Sequence, residues 1–148
     1  MKFDYTRDLL IFAQKCRRVY EKKCTGIMKK YDLRFSDLDI LYHLSIAGDR
    51  NLAKNLVSKG MSKANVSMSV ENLKRESLIN LEEDEEDRRC LRINLTEKAY
   101  PILKEVKAVK EEMNNIIFRG ITADECDTLE RVRSRMEKNI QEEFWGIL

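Results

Sequence analysis

The strongest constraint on this chain is a change of hydrophobic period between residues 51 and 95. Asn51–Ser58 reads as a short helix with Leu52, Leu56 and Val57 turned inward. Lys59-Gly60-Met61 is a turn. Ser62 is a helix N-cap, and the helix it opens runs to about Glu76 with Val66, Val70 and Leu73 inward. The period then drops from helical to alternating. Leu78-Ile79-Asn80-Leu81 is strand-like, Glu82–Arg89 is a polar tip, and Leu91-Arg92-Ile93-Asn94-Leu95 alternates as a half-buried strand does. Two short helices joined at a glycine-containing turn make a helix-turn-helix. Two strands around a charged loop, directly after it, make a β-wing.

The flanks are helical. Apolar residues recur from Asp8 to Tyr31, which predicts one long helix with Arg17, Arg18, Lys22, Lys23, Lys29 and Lys30 on its other face. Ser36 starts a second helix through the capping-box form Ser36-Asp37-Leu38-Asp39, and Gly48 ends it. Thr96 caps a fifth helix, with Pro101 in its tolerant early turns and Gly120 as its stop. Thr122-Ala123-Asp124-Glu125 opens a sixth, striped by Cys126, Leu129, Val132, Met136, Ile140 and Phe144. The expected order is α-α-α-α-β-β-α-α. The fold class is mainly α with a small β-wing, in one domain over residues 1–148.

Composition excludes several classes. Among 148 residues, 43% are hydrophobic and 36% charged, with 5 Gly and 1 Pro, which fits amphipathic helices and not a turn-rich sandwich. No run approaches the length of apolar residues a membrane span needs, and the start is too charged for a signal peptide, so a cytoplasmic location is expected. The four cysteines form no C-x-x-C pair and read as free thiols. The one histidine, His43, sits in an apolar helical stretch and reads as structural. The glycines are too far apart for a phosphate-binding loop. No catalytic constellation and no metal site is visible, and no enzyme is expected. The net charge of +2 hides an N-terminal bias: residues 1–35 carry 10 basic and 4 acidic groups.

Ser62-Lys63-Ala64-Asn65-Val66-Ser67, then Asp84-Glu85-Glu86-Asp87-Arg88-Arg89, then Leu95-Thr96-Glu97-Lys98, occur in order and at the expected separation. In these residues the chain resembles the MarR family of bacterial winged-helix transcription regulators. Its departures are Met68 where that family often has Arg, Ser77 where it usually has Gly, and six consecutive carboxylates from Glu82 to Asp87. The resemblance implies a winged helix-turn-helix with long N- and C-terminal dimerisation helices. It places dimerisation in residues 1–35 and 99–148, and a DNA-binding lobe in residues 36–98. It implies a homodimer on a pseudo-palindromic operator in double-stranded DNA, usually as a repressor released by a small-molecule effector. No residue identifies that effector, so its site stays unassigned and no cofactor is expected.

The same resemblance sends the helix opened by Ser62 into the major groove. Ser62 and Lys63 suit phosphate, Asn65 can pair with adenine, and Ser67 can reach a base edge or a phosphate. The plainer reading of Ser62 is a cap, and of Asn65 a solvated polar group. Arg89 suits a narrow minor groove, with Asp87 orienting it and Arg88 on phosphate. The plainer reading there is a solvated charge run. Two alternatives stay open: a winged-helix interaction module that has lost DNA binding, and a thiol-based redox-sensing regulator. For the second, Cys16 lies on an apolar stripe, whereas Cys24 lies beside Lys22 and Lys23, which would acidify it.

Overall fold

Among the described residues, caps and periods translate into seven α-helices and one hairpin. The computed structural model describes residues 4–47 and 51–148. In chain order these are α1 (Tyr5–Lys23), α2 (Thr25–Tyr31), α3 (Phe35–Ile46), α4 (Ala53–Val57) and α5 (Lys63–Arg75). The hairpin strands are β1 (Ile79–Glu83) and β2 (Leu91–Leu95), followed by a 3₁₀ turn (Glu97–Ala99), α6 (Tyr100–Ile117) and α7 (Ala123–Gly146). The chain falls into two compact units, Met1–Met113 and Asn114–Leu148.

The first unit is built around α3. That helix buries Phe35, Leu38, Ile40, Leu41 and Leu44, so it is apolar on most sides and central. It packs on α5 and β2, whose Leu73 and Ile93 are buried with it. Val106 and Leu103 of α6 and Leu52 close the core. The Lys110 ammonium of α6 sits 4.2 Å from the Tyr20 ring of α1 and 4.5 Å from the Tyr42 ring of α3. A cation over two aromatic faces fastens three helices at one point.

The strands pair antiparallel from Ile79↔Leu95 to Glu83↔Leu91. The first strand thus starts one residue later than Leu78 and takes in Glu82 and Glu83, shortening the tip. One further contact anchors β2 to the start of α4. Leu52 and Arg92 form an isolated bridge, and the Ile93 amide donates to the Asn51 carbonyl at 2.7 Å.

Three local expectations are corrected. The long helix from Asp8 to Tyr31 is two helices broken at Cys24. There the Thr25 hydroxyl donates to the Lys22 carbonyl at 2.6 Å, a carbonyl that a continuous helix pairs with the amide of Gly26. The next helix opens at Phe35, with Arg34 as its N-cap residue, and Ser36 lies inside it. The carboxylate that caps it belongs to Asp37, which accepts the Arg34 amide at 2.9 Å. Thr96 precedes a 3₁₀ turn, and its hydroxyl donates to the Ser77 carbonyl at 2.6 Å. The expected stop at Gly48 lies outside the described residues.

The joint between α5 and the hairpin explains the departure at Ser77. The Leu78 amide donates to the Leu73 carbonyl at 2.9 Å and the Ser77 amide to the Lys74 carbonyl at 3.0 Å. This is a Schellman ending with the buried contact Leu73–Leu78 beside it. Its geometry needs a left-handed residue, and Ser77 has φ 61°. A serine there is strained by its Cβ. Ser77→Gly is expected to stabilise the protein by about 1 kcal/mol, seen as a higher urea midpoint. A lower midpoint would mean that the serine side chain holds the turn.

The second unit is helical. Gly120 takes φ 76° and turns the chain. Thr122 and Glu125 then form the expected reciprocal box, Glu125 amide to Thr122 hydroxyl at 3.2 Å and Thr122 amide to Glu125 carboxylate at 2.8 Å. No residue of α7 is buried. Leu129, Val132, Met136 and Ile140 are all exposed along one stripe.

Candidate nucleic-acid interface

The outward face of α5 is polar by sequence and free by structure. Ser62 caps the helix, its hydroxyl oxygen accepting the Asn65 amide at 3.1 Å. Lys63, Asn65 and Ser67 are exposed in the first two turns. Among the described residues, none of their side chains has a hydrogen-bond or ion-pair partner. Met68, which sequence comparison marks only as a departure, is 54% exposed in the middle of this face. An apolar side chain there has the chemistry to touch a thymine methyl group.

The opposite face of α5 is held by a polar network that sequence reading missed. Asp37 is fully buried and accepts from the Arg34 amide, the Arg34 guanidinium at 3.2 Å and the Asn72 amide group at 2.8 Å. The same guanidinium donates to the Ser69 hydroxyl at 3.0 Å, and Ser69 donates to Ser36 at 3.2 Å. Arg75 donates to the Asn72 carbonyl oxygen at 2.7 Å. The buried charge is therefore paired and hydrogen-bonded, as burial requires. These contacts fix the rotation of α5 about its own axis and so the aim of its outward residues.

The tip of the hairpin is organised by its acids. Asp87 accepts from the Arg89 side chain at 3.1 and 3.4 Å and from the Arg89 amide at 3.2 Å. These bonds hold the Asp87 carboxyl below the usual carboxylate range. Arg89 itself is 91% exposed, so the guanidinium is braced at its root and open at its end. Arg88 is exposed and pairs with none of the described residues.

The acidic run is partly neutralised from within. Arg92 reaches Glu82 at 3.6 Å and the buried Asp84 at 3.5 Å. Asp84 also accepts the Asp87 amide at 3.0 Å, which closes the tip. Only Glu83 and Glu85 of the six are exposed without a partner among the described residues. Arg92 was legible in principle, because the hairpin register sets it directly opposite Glu82.

The thiol reading of Cys24 is overturned. Cys24 is fully buried, and burial pushes its thiol up to about 11. Its lysine neighbours in sequence point elsewhere: Lys23 pairs with Glu112 at 2.6 Å. Cys16, placed on an apolar stripe by the sequence, is half-buried. His43 lies 3.9 Å from Asp39, and burial holds its imidazole below the ordinary value. Among the described residues no group of His, Cys, Asp and Glu could hold a metal ion. No described helix is long and apolar enough to cross a membrane.

Residues 22–106 match the family model described as transcriptional regulator SarA/Rot. The chain belongs to the SarA/Rot family of transcriptional regulators. The matched span covers the SarA/Rot chain from the end of α1 into α6, including α5 and the hairpin. Solved structures share the fold over nearly the whole length. A MarR family regulator from Listeria monocytogenes, crystallised with 26mer DNA, is 17% identical with a TM-score of 0.84, covering 98% of this chain and 94% of that one. A MarR protein from Peptoclostridium difficile is 16% identical with a TM-score of 0.80, covering 100% and 96%. A SlyA-like regulator from Listeria monocytogenes is 18% identical with a TM-score of 0.80, covering 99% and 95%. The SarA/Rot chain thus has the winged-helix fold of the MarR regulators, as its sequence led one to expect.

Proposed function

We propose that this regulator binds double-stranded DNA sequence-specifically, as a homodimer in the cytoplasm, and represses until a small-molecule effector releases it. One observation carries the reading. The outward face of α5 offers the side chains of Lys63, Asn65 and Ser67 unengaged behind the capping Ser62, on a helix whose back is fixed by a fully buried carboxylate. A rigid helix with free donors and acceptors suits base edges and phosphates. Asp87 braces Arg89 for the minor groove, and Arg88 is free for phosphate. The Listeria relative solved with DNA supports the same direction.

The homodimer rests on uncovered apolar area. In α1, Leu9, Phe12 and Val19 are exposed; in α7, Leu129, Val132, Met136 and Ile140. Faces of this size on a single chain call for a partner, and a second copy supplies one with two-fold symmetry. For the effector we favour the hollow of about 520 Å³ lined by Leu44, Leu95, Tyr100, Leu103, Lys104 and Lys107. Its two ammonium groups beside apolar walls favour an organic anion.

The test is fluorescence-anisotropy titration against DNA flanking the protein's own gene, with scrambled DNA as competitor. Selective, salt-sensitive binding is expected. Arg89→Ala should weaken it about 10-fold, with mass and helicity unchanged. Unchanged affinity would sink the wing assignment. No binding at low salt by a verified dimer would favour an interaction module, with Glu83 and Glu85 as the place to seek its partner.

A further inference from the structure

The basic surplus of residues 1–35 is not spread evenly over α1 and α2. Cations on the inward side are engaged: Arg17 lies over the Phe35 ring at 4.9 Å, Lys23 pairs with Glu112 and Lys30 with Glu105. Lys15, Arg18, Lys22 and Lys29 are exposed, and none has a partner among the described residues. Their spacing of three, four and seven residues puts them along one line of the helix surface. At the break Cys24 stays right-handed with ψ opened to −6°, so Lys15, Arg18 and Lys22 lie on α1 and Lys29 continues their side on α2. A shallow hollow of about 360 Å³ spans the break, lined by Arg18, Glu21, Lys22, Thr25 and Met28. From Lys15 to Lys29 the line measures about 21 Å at the helical rise.

We propose that Lys15, Arg18, Lys22 and Lys29 form a second, sequence-independent contact for the phosphate backbone of duplex DNA. This rests on the DNA-binding reading above and adds a surface to it. Duplex DNA carries about one negative charge per 1.7 Å of its axis, so a line of about 21 Å laid against it faces phosphates enough for four cations. Glu21 lies within the same hollow and leaves a net positive surface around it. An acidic protein is the less fitting partner. Protein interfaces draw most affinity from buried aromatic or arginine anchors; the hollow beside Arg18 and Lys22 is lined by Glu21, Thr25 and Met28, and the exposed Phe12 and Val19 next to Lys15 belong to the apolar face assigned to the dimer. A row of unpaired charges without such an anchor has the chemistry of counterion release instead.

The test uses a scrambled duplex, so that base reading by α5 drops out. Binding is measured across about 50 to 200 mM salt for the wild type, the variant K15Q/R18Q/K22Q/K29Q, and K15R/K22R/K29R. Each lost phosphate contact should flatten the slope of log affinity against log salt by about 0.9, so the glutamine variant, which loses four cations, should lose about 3.6. The arginine variant should keep the wild-type slope, and circular dichroism should show all three folded. A slope in the glutamine variant equal to wild type overturns the proposal and leaves the line to an acidic protein. Wild-type protein that binds neither this duplex nor its own flanking DNA overturns the DNA-binding reading and this inference with it.

Discussion

Asp37→Ala is expected to destabilise the protein by about 3 kcal/mol. The carboxylate is fully buried and takes three hydrogen bonds, two from Arg34 and one from Asn72. Its removal strands the Arg34 amide and the Asn72 amide group. The Arg34 guanidinium is 42% exposed and regains water, which keeps the cost below that of a fully buried ion pair. Urea unfolding monitored by circular dichroism measures it. Loss below about 1 kcal/mol would mean that water enters and replaces the carboxylate. Because Asn72 and Ser69 lie on α5, the surviving folded protein should also bind DNA more weakly than its stability alone explains.

The second large effect concerns association. Met136→Asp together with Ile140→Asp should weaken the proposed dimer by about 100-fold or more, since each places an unpaired carboxylate where an apolar contact would form. The side chains are 45% and 59% exposed in the single chain, so folding itself should be spared. Sedimentation velocity at micromolar concentration is the measurement, with helicity as the control. A double variant that sediments as a dimer would move the interface off α7.

What the sequence revealed and what it hid follow one rule, the range of the interaction. Ser62 was legible as a cap because its partner, the Asn65 amide, is three residues away. The box of Thr122 and Glu125 was legible for the same reason. The hairpin showed itself because alternation is local. Asp37 was visible only as part of a capping signature, since its partner Asn72 lies 35 residues along the chain. The break at Cys24 stayed hidden because apolar spacing runs straight through it, and one hydroxyl to one carbonyl decides the matter. For the candidate site, residue types suggested Ser62, Lys63, Asn65, Ser67, Asp87, Arg88 and Arg89, while the reach of Arg92 to the buried Asp84 and the anchoring network needed the fold.

The joint at Ser77 has a mechanical meaning. Four bonds meet there: Leu78 to Leu73, Ser77 to Lys74, the Thr96 hydroxyl to Ser77, and the Lys98 ammonium to the Glu76 carbonyl at 2.8 Å. Helix α5 and the hairpin are thereby welded into one lever, with no flexible elbow between them. Strands of five residues carry the tip about 17 Å from that weld. A tilt of α5 by about 10° then swings Arg89 through roughly 3 Å, as far as a hydrogen bond is long. On the DNA-binding reading proposed above, even a small rocking of the helix would be felt, enlarged, at the guanidinium.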